Sequence, residues 1–320
     1  ARERPGPTGC AVSRPTIGVY TCVLNEAVHV ERWADSARCA DHLLMLDTGS
    51  HDSTPELARA CGIEVHSALI DPFRFDDARN IAMALIPPHI DIVIQLDADE
   101  VFDEPNWRRH IDANADHDRW SYWLNSGGAS WGMVRRSNCV RRSGFRWEHP
   151  IHEVISGPEA TCHLDGLVIT HKPDKHKDRS YTLGMLEHFS AADPGDARTL
   201  FYLGREYKYR GKWAEGRTAL WRYVNHPKAT WGPERSEAYM LIAEMSDDPF
   251  TWLWKAVAEC PTRREPFVAM AHLHSKAEDF HAAHAMLVVA AGLHDMPYTT
   301  HTDAWGLPFE TFVHSVEAML

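Results

Sequence analysis

The chain has 320 residues, of which 44% are hydrophobic and 24% are charged, so it is long enough for one large or two medium globular domains. Its formal net charge of -12 argues against a uniformly basic surface for nucleic acid or membrane. No apolar run approaches the roughly 20 residues that a membrane-spanning helix needs.

The seven cysteines are scattered and form no Cys-x-x-Cys pair. Their number and spacing argue against a disulfide framework or a structural zinc site and favour a reducing compartment. We therefore expect a cytoplasmic protein without a signal peptide. Residues 1–14 are rich in Arg, Pro and Gly and are expected to form a flexible tail.

The first half of the chain alternates strand-like and helix-like segments. Repeated β-α-β units predict a mainly parallel sheet with helices on both faces. The predicted strands are Thr16–Val23, His42–Leu46, Ile63–His66 and Ile90–Leu96, and the predicted helices are Ala27–Ala40, Thr54–Cys61 and Asp76–Ile86.

The most informative segment is an apolar run that ends abruptly in three acids, Asp97, Asp99 and Glu100. This pattern predicts a buried strand whose C-terminal end carries carboxylates into a cleft. Like charges so close together are costly unless a cation lies among them, and a divalent ion shared with substrate phosphates would neutralise them. The alternative is a strand followed by a solvated acidic turn.

Polar residues follow the other predicted strands as well. Asn25 and Glu26 come after the first strand and Asp47 after the second. In parallel α/β sheets ligands bind outside the carboxyl ends of the strands. These residues are therefore expected to converge with Asp97 and Asp99 on one crevice.

The second half of the chain is helical throughout, with short breaks. Helix pairs that begin roughly 30 to 40 residues apart are typical of helical-hairpin repeats, which bury their apolar faces by stacking. We expect domains at 15–192 and 193–320, and Gly204 should allow two helices to approach closely. The predicted helices are Ala197–Tyr209, Trp213–Val224, Glu234–Met245, Phe250–Cys260, Glu265–His274 and Phe280–Ala291.

Four motifs of the first half together resemble a known family. They are Leu24–Ala27, Leu46–Thr54, Asp77–Asn80 and Leu96–Glu100. In this order they are similar to family 2 glycosyltransferases of the GT-A fold. The second motif departs slightly, with His51 and Ser53 where such enzymes often have Thr or Ser and Gly. The helical half resembles the subgroup with a tetratricopeptide-like C-terminal region, which includes peptide S-glycosyltransferases.

The resemblance implies a Mn²⁺ or Mg²⁺ ion and a nucleotide-diphosphate sugar, most commonly a UDP-sugar. Asp99 would ligate the metal, His171 would be its late histidine ligand, and Asp97 would lie against the ribose and metal-bound waters. Asn25, Glu26 and Asp47 would hold the base and ribose. Arg79 would contact the base or diphosphate, or alternatively form a salt bridge with Asp76 or Asp77. Weaker candidates are His163 and His176 for the metal and Lys172 and Lys175 for the diphosphate.

A second unusual cluster, Trp147–Val154, suits an acceptor site. By resemblance Glu153 is the candidate general base that deprotonates the acceptor, and His152 could serve instead. The alternative is that Glu153 only caps a helix or pairs with an arginine. Trp131, after a glycine-rich segment, is expected either to stack on a sugar or to lie in the core.

We therefore expect a metal-dependent glycosyltransferase that transfers a sugar to an acceptor hydroxyl or thiol, with inversion. The helical repeats would present a peptide or protein acceptor, or mediate self-association. Alternatives are transfer to modified DNA bases, a nucleotide-binding adaptor without catalysis, and a nucleotidyltransferase. The nucleic-acid alternative depends on an arginine cluster, Arg135, Arg136, Arg141, Arg142 and Arg146.

Overall fold

A computed structural model of the protein describes residues 14–125, 133–174 and 180–293, together with 313, 316, 317, 319 and 320. The expectations for residues 1–13, Trp131, Lys175 and His176 lie outside these residues. Within the described residues no helix is both long and apolar enough to cross a membrane. The six cysteines described are free thiols.

The described strands form one large sheet and a small hairpin. The order in the eight-stranded sheet is β3-β2-β1-β4-β7-β6-β10-β5, and β8 pairs with β9. The strands are β1 Ile17–Val23, β2 His42–Asp47, β3 Glu64–Ser67, β4 Ile92–Gln95, β5 Glu100–Phe102, β6 Arg119–Asn125, β7 Met133–Arg141, β8 Arg146–Glu148, β9 Val154–Ser156 and β10 Thr161–His171.

Strands β1 to β4 are neighbours in the sheet, and each pair of them that is hydrogen-bonded is parallel, as the β-α-β pattern predicted. The second half of the sheet is mixed. β7 is antiparallel to both β4 and β6, β10 is parallel to β6, and β5 is antiparallel to β10. The sheet as a whole is thus mostly parallel, with an antiparallel strand inserted beside β4.

Helices cover both faces of the sheet. The first helices are α1 Ala27–Ala37, α2 Thr54–Ala60, α3 Phe75–Leu85, α4 Arg108–Asp112 and α5 Thr182–Ala192. Trp33 of α1 and Trp107 beside α4 are buried on one face, and Ala82 of α3 is buried on the other. Strand β2 shows why both faces are filled, because Met45 belongs to the first core and Leu46 to the second.

The described residues from 197 to 293 are mainly helical, as the sequence predicted. The helices are α6 Ala197–Tyr209, α7 Trp213–Val224, α8 Gly232–Glu244, α9 Pro249–Glu259, α10 Glu265–Lys276 and α11 Phe280–Ala291. They pack as the consecutive pairs α6–α7, α8–α9 and α10–α11, and α5 packs against α6. The expected fold class, a mostly parallel α/β sheet followed by helical hairpins, is confirmed.

Several predicted helix ends differ from the observed ones by one to three residues. Helix α1 ends at Ala37 rather than Ala40, because Arg38 and Cys39 form a turn that leads into β2. Helix α3 begins at Phe75, whose backbone N–H donates to the carbonyl of Pro150 at 2.9 Å. This last contact links α3 to a distant loop.

Candidate functional site

A cleft of about 830 Å³ lies where the parallel strands end at their carboxyl termini. Asn25 and Glu26, directly after β1, line it together with Arg79 of α3 and Asp97 after β4. An apolar wall completes the cleft, formed by Leu69, Ile70, Phe73, Phe75, Tyr181 and Met185. A concave site of this size with a few polar groups suits a small ligand with an apolar or aromatic part.

Asn25 is held in an unusual backbone conformation, with φ of 56°. Its N–H donates to Ser50 Oγ at 2.9 Å and its Oδ1 accepts from the His51 N–H at 2.8 Å. Asp47 is buried and its Oδ1 accepts from the Ser50 N–H at 3.1 Å. These bonds join the loops after β1 and β2. Asp47 therefore lies beneath the loop, and its contact with a donor stays a prediction.

The acidic stretch after β4 is not a solvated turn. Glu100 is 1% exposed, and its Oε1 accepts from Arg136 at 2.6 Å. Asp97 Oδ1 accepts from Gln95 Nε2 at 2.8 Å and from Arg79 Nη2 at 3.0 Å. Two arginines thus offset the charges of Asp97 and Glu100, which is how the fold accommodates carboxylates so close together.

These partners separate the pKa values of the neighbouring acids. Burial alone would raise the pKa of Asp97, but Arg79, Arg136 and the hydrogen bond from Gln95 lower it to about 2. Burial and the charge of Asp97 raise the pKa of Glu100 to about 7, against the opposing effect of Arg136. Asp97 is therefore ionised at neutral pH, and Glu100 holds its proton more tightly than an ordinary glutamate does.

Asp99 lies at the other side of the strand tip, beside the end of β10. Its Oδ2 is 3.1 Å from His171 Nε2, and the hydrogen bond raises the pKa of His171. The sequence predicted these two residues as metal ligands 72 positions apart, and the fold brings them into contact. No group of three or more His, Cys, Asp or Glu side chains with metal-site geometry occurs among the described residues.

The Asp99–His171 pair nevertheless fits two neighbouring positions in the octahedral coordination of a metal ion. Neighbouring ligands at about 2.1 Å from Mg²⁺ lie about 3.0 Å apart, close to the Asp99–His171 separation. Carboxylate oxygen suits both Mg²⁺ and Mn²⁺, and imidazole nitrogen is a ligand of first-row transition-metal ions. The remaining positions would have to come from ligand phosphates and water, and the metal roles of Asp99, His171 and Asp97 stay predictions.

Arg79 connects the strand tip to the acceptor cluster. Its Nη2 lies 2.6 Å from Glu153 Oε1 and 3.0 Å from Asp97 Oδ1, and its guanidinium lies 4.7 Å from the centre of the Trp147 ring. The pKa of Arg79 is raised because both carboxylates outweigh its burial. The alternative salt bridge of Arg79 with Asp76 is not observed, since Asp76 pairs with Arg74 at 2.7 Å.

His152 faces the helical region instead of the cleft. Its ring stacks on Tyr202 of α6 with centroids 3.7 Å apart. Burial, together with Arg205 and Arg198, lowers the pKa of His152 to about 3. Its ring is therefore neutral at physiological pH. His163, a weaker candidate, shares a hydrogen bond of 2.6 Å with Ser121.

Sequence reasoning did not predict three contacts that shape the site. Arg136 of β7 neutralises Glu100, Gln95 of β4 donates to Asp97, and the Trp147 ring N–H donates to Tyr20 Oη at 2.7 Å. Arg136 was noticed only as one of an arginine cluster. Nothing local in the sequence distinguishes it, because its partner lies 36 positions earlier.

No protein-family model matches the chain, and no curated protein does. Among solved structures, one described as a mycobacterial protein is 17% identical, with a TM-score of 0.40, and the match covers 51% of this chain and 69% of that chain. The MamA protein is 15% identical with a TM-score of 0.31, over 43% of this chain and 76% of that chain.

The other similar structures include glucosyl-3-phosphoglycerate synthase from Mycobacterium tuberculosis in complex with Mn²⁺, UDP-glucose and phosphoglyceric acid. It is 28% identical with a TM-score of 0.32, and the match covers 40% of this chain and 51% of that chain. The chain thus spans about half the length of the synthase. The sheet region of the chain resembles the synthase and the helical region resembles MamA. With TM-scores this low, any function has to be argued from the chain's own residues.

Proposed function

We propose that the chain is a metal-dependent glycosyltransferase that moves a sugar from a nucleotide-diphosphate sugar, such as a UDP-sugar, to an acceptor hydroxyl or thiol. The observation that carries this proposal is that Arg79, which lines the cleft, contacts both Asp97 and Glu153, next to the Asp99–His171 pair. This arrangement combines a site for a cation and diphosphate with a carboxylate placed to accept a proton.

The proposed donor site is the cleft at the strand ends. The apolar wall that includes Phe73 and Phe75 offers a surface for the base, and Asn25 and Glu26 offer polar groups for the base and ribose. Asp99 and His171 would hold Mn²⁺ or Mg²⁺, which when bound stabilises the negative charge of a departing diphosphate.

The proposed acceptor side is the Arg79–Glu153 pair. Glu153 would take the proton from the acceptor hydroxyl or thiol as that group attacks the sugar. Arg79 would orient Glu153 through the contact of 2.6 Å. A single in-line displacement would invert the anomeric centre. The helical region would present a peptide or protein acceptor.

Substitution of Asp99 tests the proposal. We expect Asp99→Ala to lose Mn²⁺-dependent turnover of nucleotide sugars by roughly 10²-fold or more, because one of the metal's charged ligands is removed. Asp103→Ala is the matched control, since Asp103 is an exposed carboxylate four residues later. The measurement is release of nucleoside diphosphate with and without Mn²⁺. Undiminished turnover of Asp99→Ala would remove the metal role assigned here.

A binding measurement separates this function from the adaptor alternative. A nucleotide sugar at 100 times its dissociation constant stabilises the folded protein by about 2.7 kcal/mol. We expect a thermal shift with one nucleotide sugar and Mn²⁺, accompanied by turnover. Binding without turnover on any acceptor would favour an adaptor.

A further inference from the structure

The loop that carries Glu153 is strained and is held from the helical side. His149 and His152 both have positive φ, at 77° and 54°. Neither is glycine, and such conformations are costly for residues with a Cβ. They persist where surrounding contacts determine them. The contacts around this loop therefore indicate what sets its shape.

Three side chains of the segment that begins α6 make those contacts. Tyr202 stacks on the His152 ring at 3.7 Å, and Arg198 Nε donates to the His152 carbonyl at 2.8 Å. Asp196, which also caps the first turn of α6, lies 3.2 Å from His149 Nδ1. Residues at the start of the helical region thus contact both loop residues that have positive φ.

Asp196, Arg198 and Tyr202 form a clamp on the loop, and its members contact one another beside a hydrophobic core. Arg198 Nη2 donates to Tyr202 Oη at 3.1 Å, so the aromatic and the cationic contact support each other. Ile151, between the two histidines, is buried with Leu203 of α6 and Leu186 of α5. This core fixes the middle of the loop against both helices.

The opposite side of the loop is where its position matters. Glu153 follows His152 directly and meets Arg79 at 2.6 Å. A displacement of about 1 Å at a reacting group can cost roughly 10²-fold in rate. Relaxation of the strained backbone would displace Glu153 from its contact with Arg79.

We propose that α6 completes the candidate active site, and that Tyr202 and Arg198 are positioning residues that hold Glu153 against Arg79 through His152. On this proposal, which rests on the proposed function, His152 anchors the loop and Glu153 alone is the base. The helical region is then required for catalysis itself as well as for any acceptor binding.

Tyr202→Leu is the main test, because it removes the stack without adding charge. With the nucleotide sugar that the wild-type protein turns over in Mn²⁺, we expect kcat to fall tenfold or more and the donor KM to stay within about twofold. Tyr202 does not line the donor cleft, which is why the two constants should separate. Tyr202→Phe, which keeps the ring, should retain most of the wild-type kcat.

Tyr239→Leu is the matched control, since Tyr239 of α8 stacks on Trp252 and not on the loop. Its kcat is expected to equal that of the wild type. If Tyr202→Leu does not fold, Arg198→Lys replaces it, because lysine lacks the Nε that donates to His152. A wild-type kcat in a folded Tyr202→Leu or Arg198→Lys would overturn the proposal.

Hydrogen–deuterium exchange gives a readout that needs no activity. In Tyr202→Leu the peptide containing 149–153 should exchange at least tenfold faster than in the wild type, whereas β1 and β4 should be unchanged. Unchanged exchange of this peptide would overturn the clamp. A wild-type protein without transferase activity would instead contradict the proposed function, while the exchange result would still decide whether α6 holds the loop.

Discussion

At the scale of single residues, the candidate site depends most on Arg79. It lies on α3 between two carboxylates that come from distant parts of the chain, Asp97 and Glu153, and over the Trp147 ring. A buried cation with two carboxylate partners is stabilised, and each partner is fixed in turn. Removing either acid therefore changes the environment of the other.

Glu153→Gln tests the base at this scale. Glutamine keeps the size of the side chain but cannot accept the acceptor's proton, so we expect kcat to fall by roughly 10² to 10⁴. Glu148→Gln is the control, because Glu148 lies five residues earlier on the same segment and accepts from Ser156 Oγ at 2.7 Å. Steady-state kinetics of transfer decide the matter. A kcat within twofold of the wild type for Glu153→Gln would assign the base elsewhere.

His152 predicts an acid sensitivity of the fold. Its pKa is lowered from 6.5 to about 3 by burial and two arginines, so between these values the unfolded chain binds a proton that the folded protein does not. The free energy of unfolding is therefore unaffected by His152 above the pKa that it has in the unfolded chain, and it declines as pH falls below that value. At pH 5 the loss is about 2 kcal/mol relative to pH 8.

The variant His152→Phe keeps a ring on Tyr202 but does not titrate. We expect its free energy of unfolding in urea to fall less between pH 8 and pH 5 than that of the wild type. Parallel pH profiles for the two proteins would contradict the low pKa of His152.

The elements are positioned by close helix approach as well as by polar contacts. Gly204 of α6 faces Leu220 of α7, and a Cβ at Gly204 would lie 2.5 Å from Leu220 Cγ. Because α6 also carries Arg198 and Tyr202, its seat on α7 is expected to affect the loop that α6 holds. Two helical glycines make this testable.

Gly204→Ala should destabilise the protein by about 1 to 3 kcal/mol, because the methyl group overpacks the α6–α7 contact. Gly184→Ala, in α5 with nothing within 4 Å of the added Cβ, should instead stabilise by about 0.5 to 1 kcal/mol through helix propensity. Thermal or denaturant unfolding of both variants measures the difference. Equal effects of the two substitutions would refute the close packing at Gly204.

At the scale of the whole molecule, the arginine cluster that suggested a nucleic-acid acceptor is largely engaged within the fold. Arg136 pairs with Glu100 at 2.6 Å, Arg141 Nε donates to the His117 carbonyl at 2.9 Å, and Arg142 Nη2 to the Ile86 carbonyl at 3.1 Å. Arg135 lies 4.1 Å from the centre of the Trp123 ring and pairs with Asp165. Arg146 is exposed.

This engagement, together with a net charge of -12, predicts a weak salt dependence. Raising salt from about 50 to about 200 mM should lower kcat/KM by less than about threefold, whereas a protein that contacts 6–10 phosphates loses roughly 10³ to 10⁵ in affinity. The measurement is turnover across a NaCl series, with a synthetic peptide and a DNA duplex as acceptors. A steep loss with salt on DNA would support the nucleic-acid alternative.

The sequence predicted strands β1 to β4 and helices α1 to α3 and α6 to α11, because hydrophobic periodicity depends on local burial. The observed bounds of α6, α7 and α11 coincide with the predicted ones, and the acids after β4 were found because a strand that ends in charge is visible in any short window. The same pattern suggested Asp99, whereas His171 was suggested only by the resemblance to family 2 glycosyltransferases. The strand-tip location of the site follows from the β-α-β pattern alone.

The tertiary structure decided what those residues contact. The insertion of β7 between β4 and β6 brings Arg136 to Glu100, and the loop held by α6 brings Glu153 to Arg79 across 74 positions. Such contacts depend on how strands are ordered and how one region docks on another, and no local pattern encodes them. Charge pairing between remote residues becomes definite only when packing has brought them within reach.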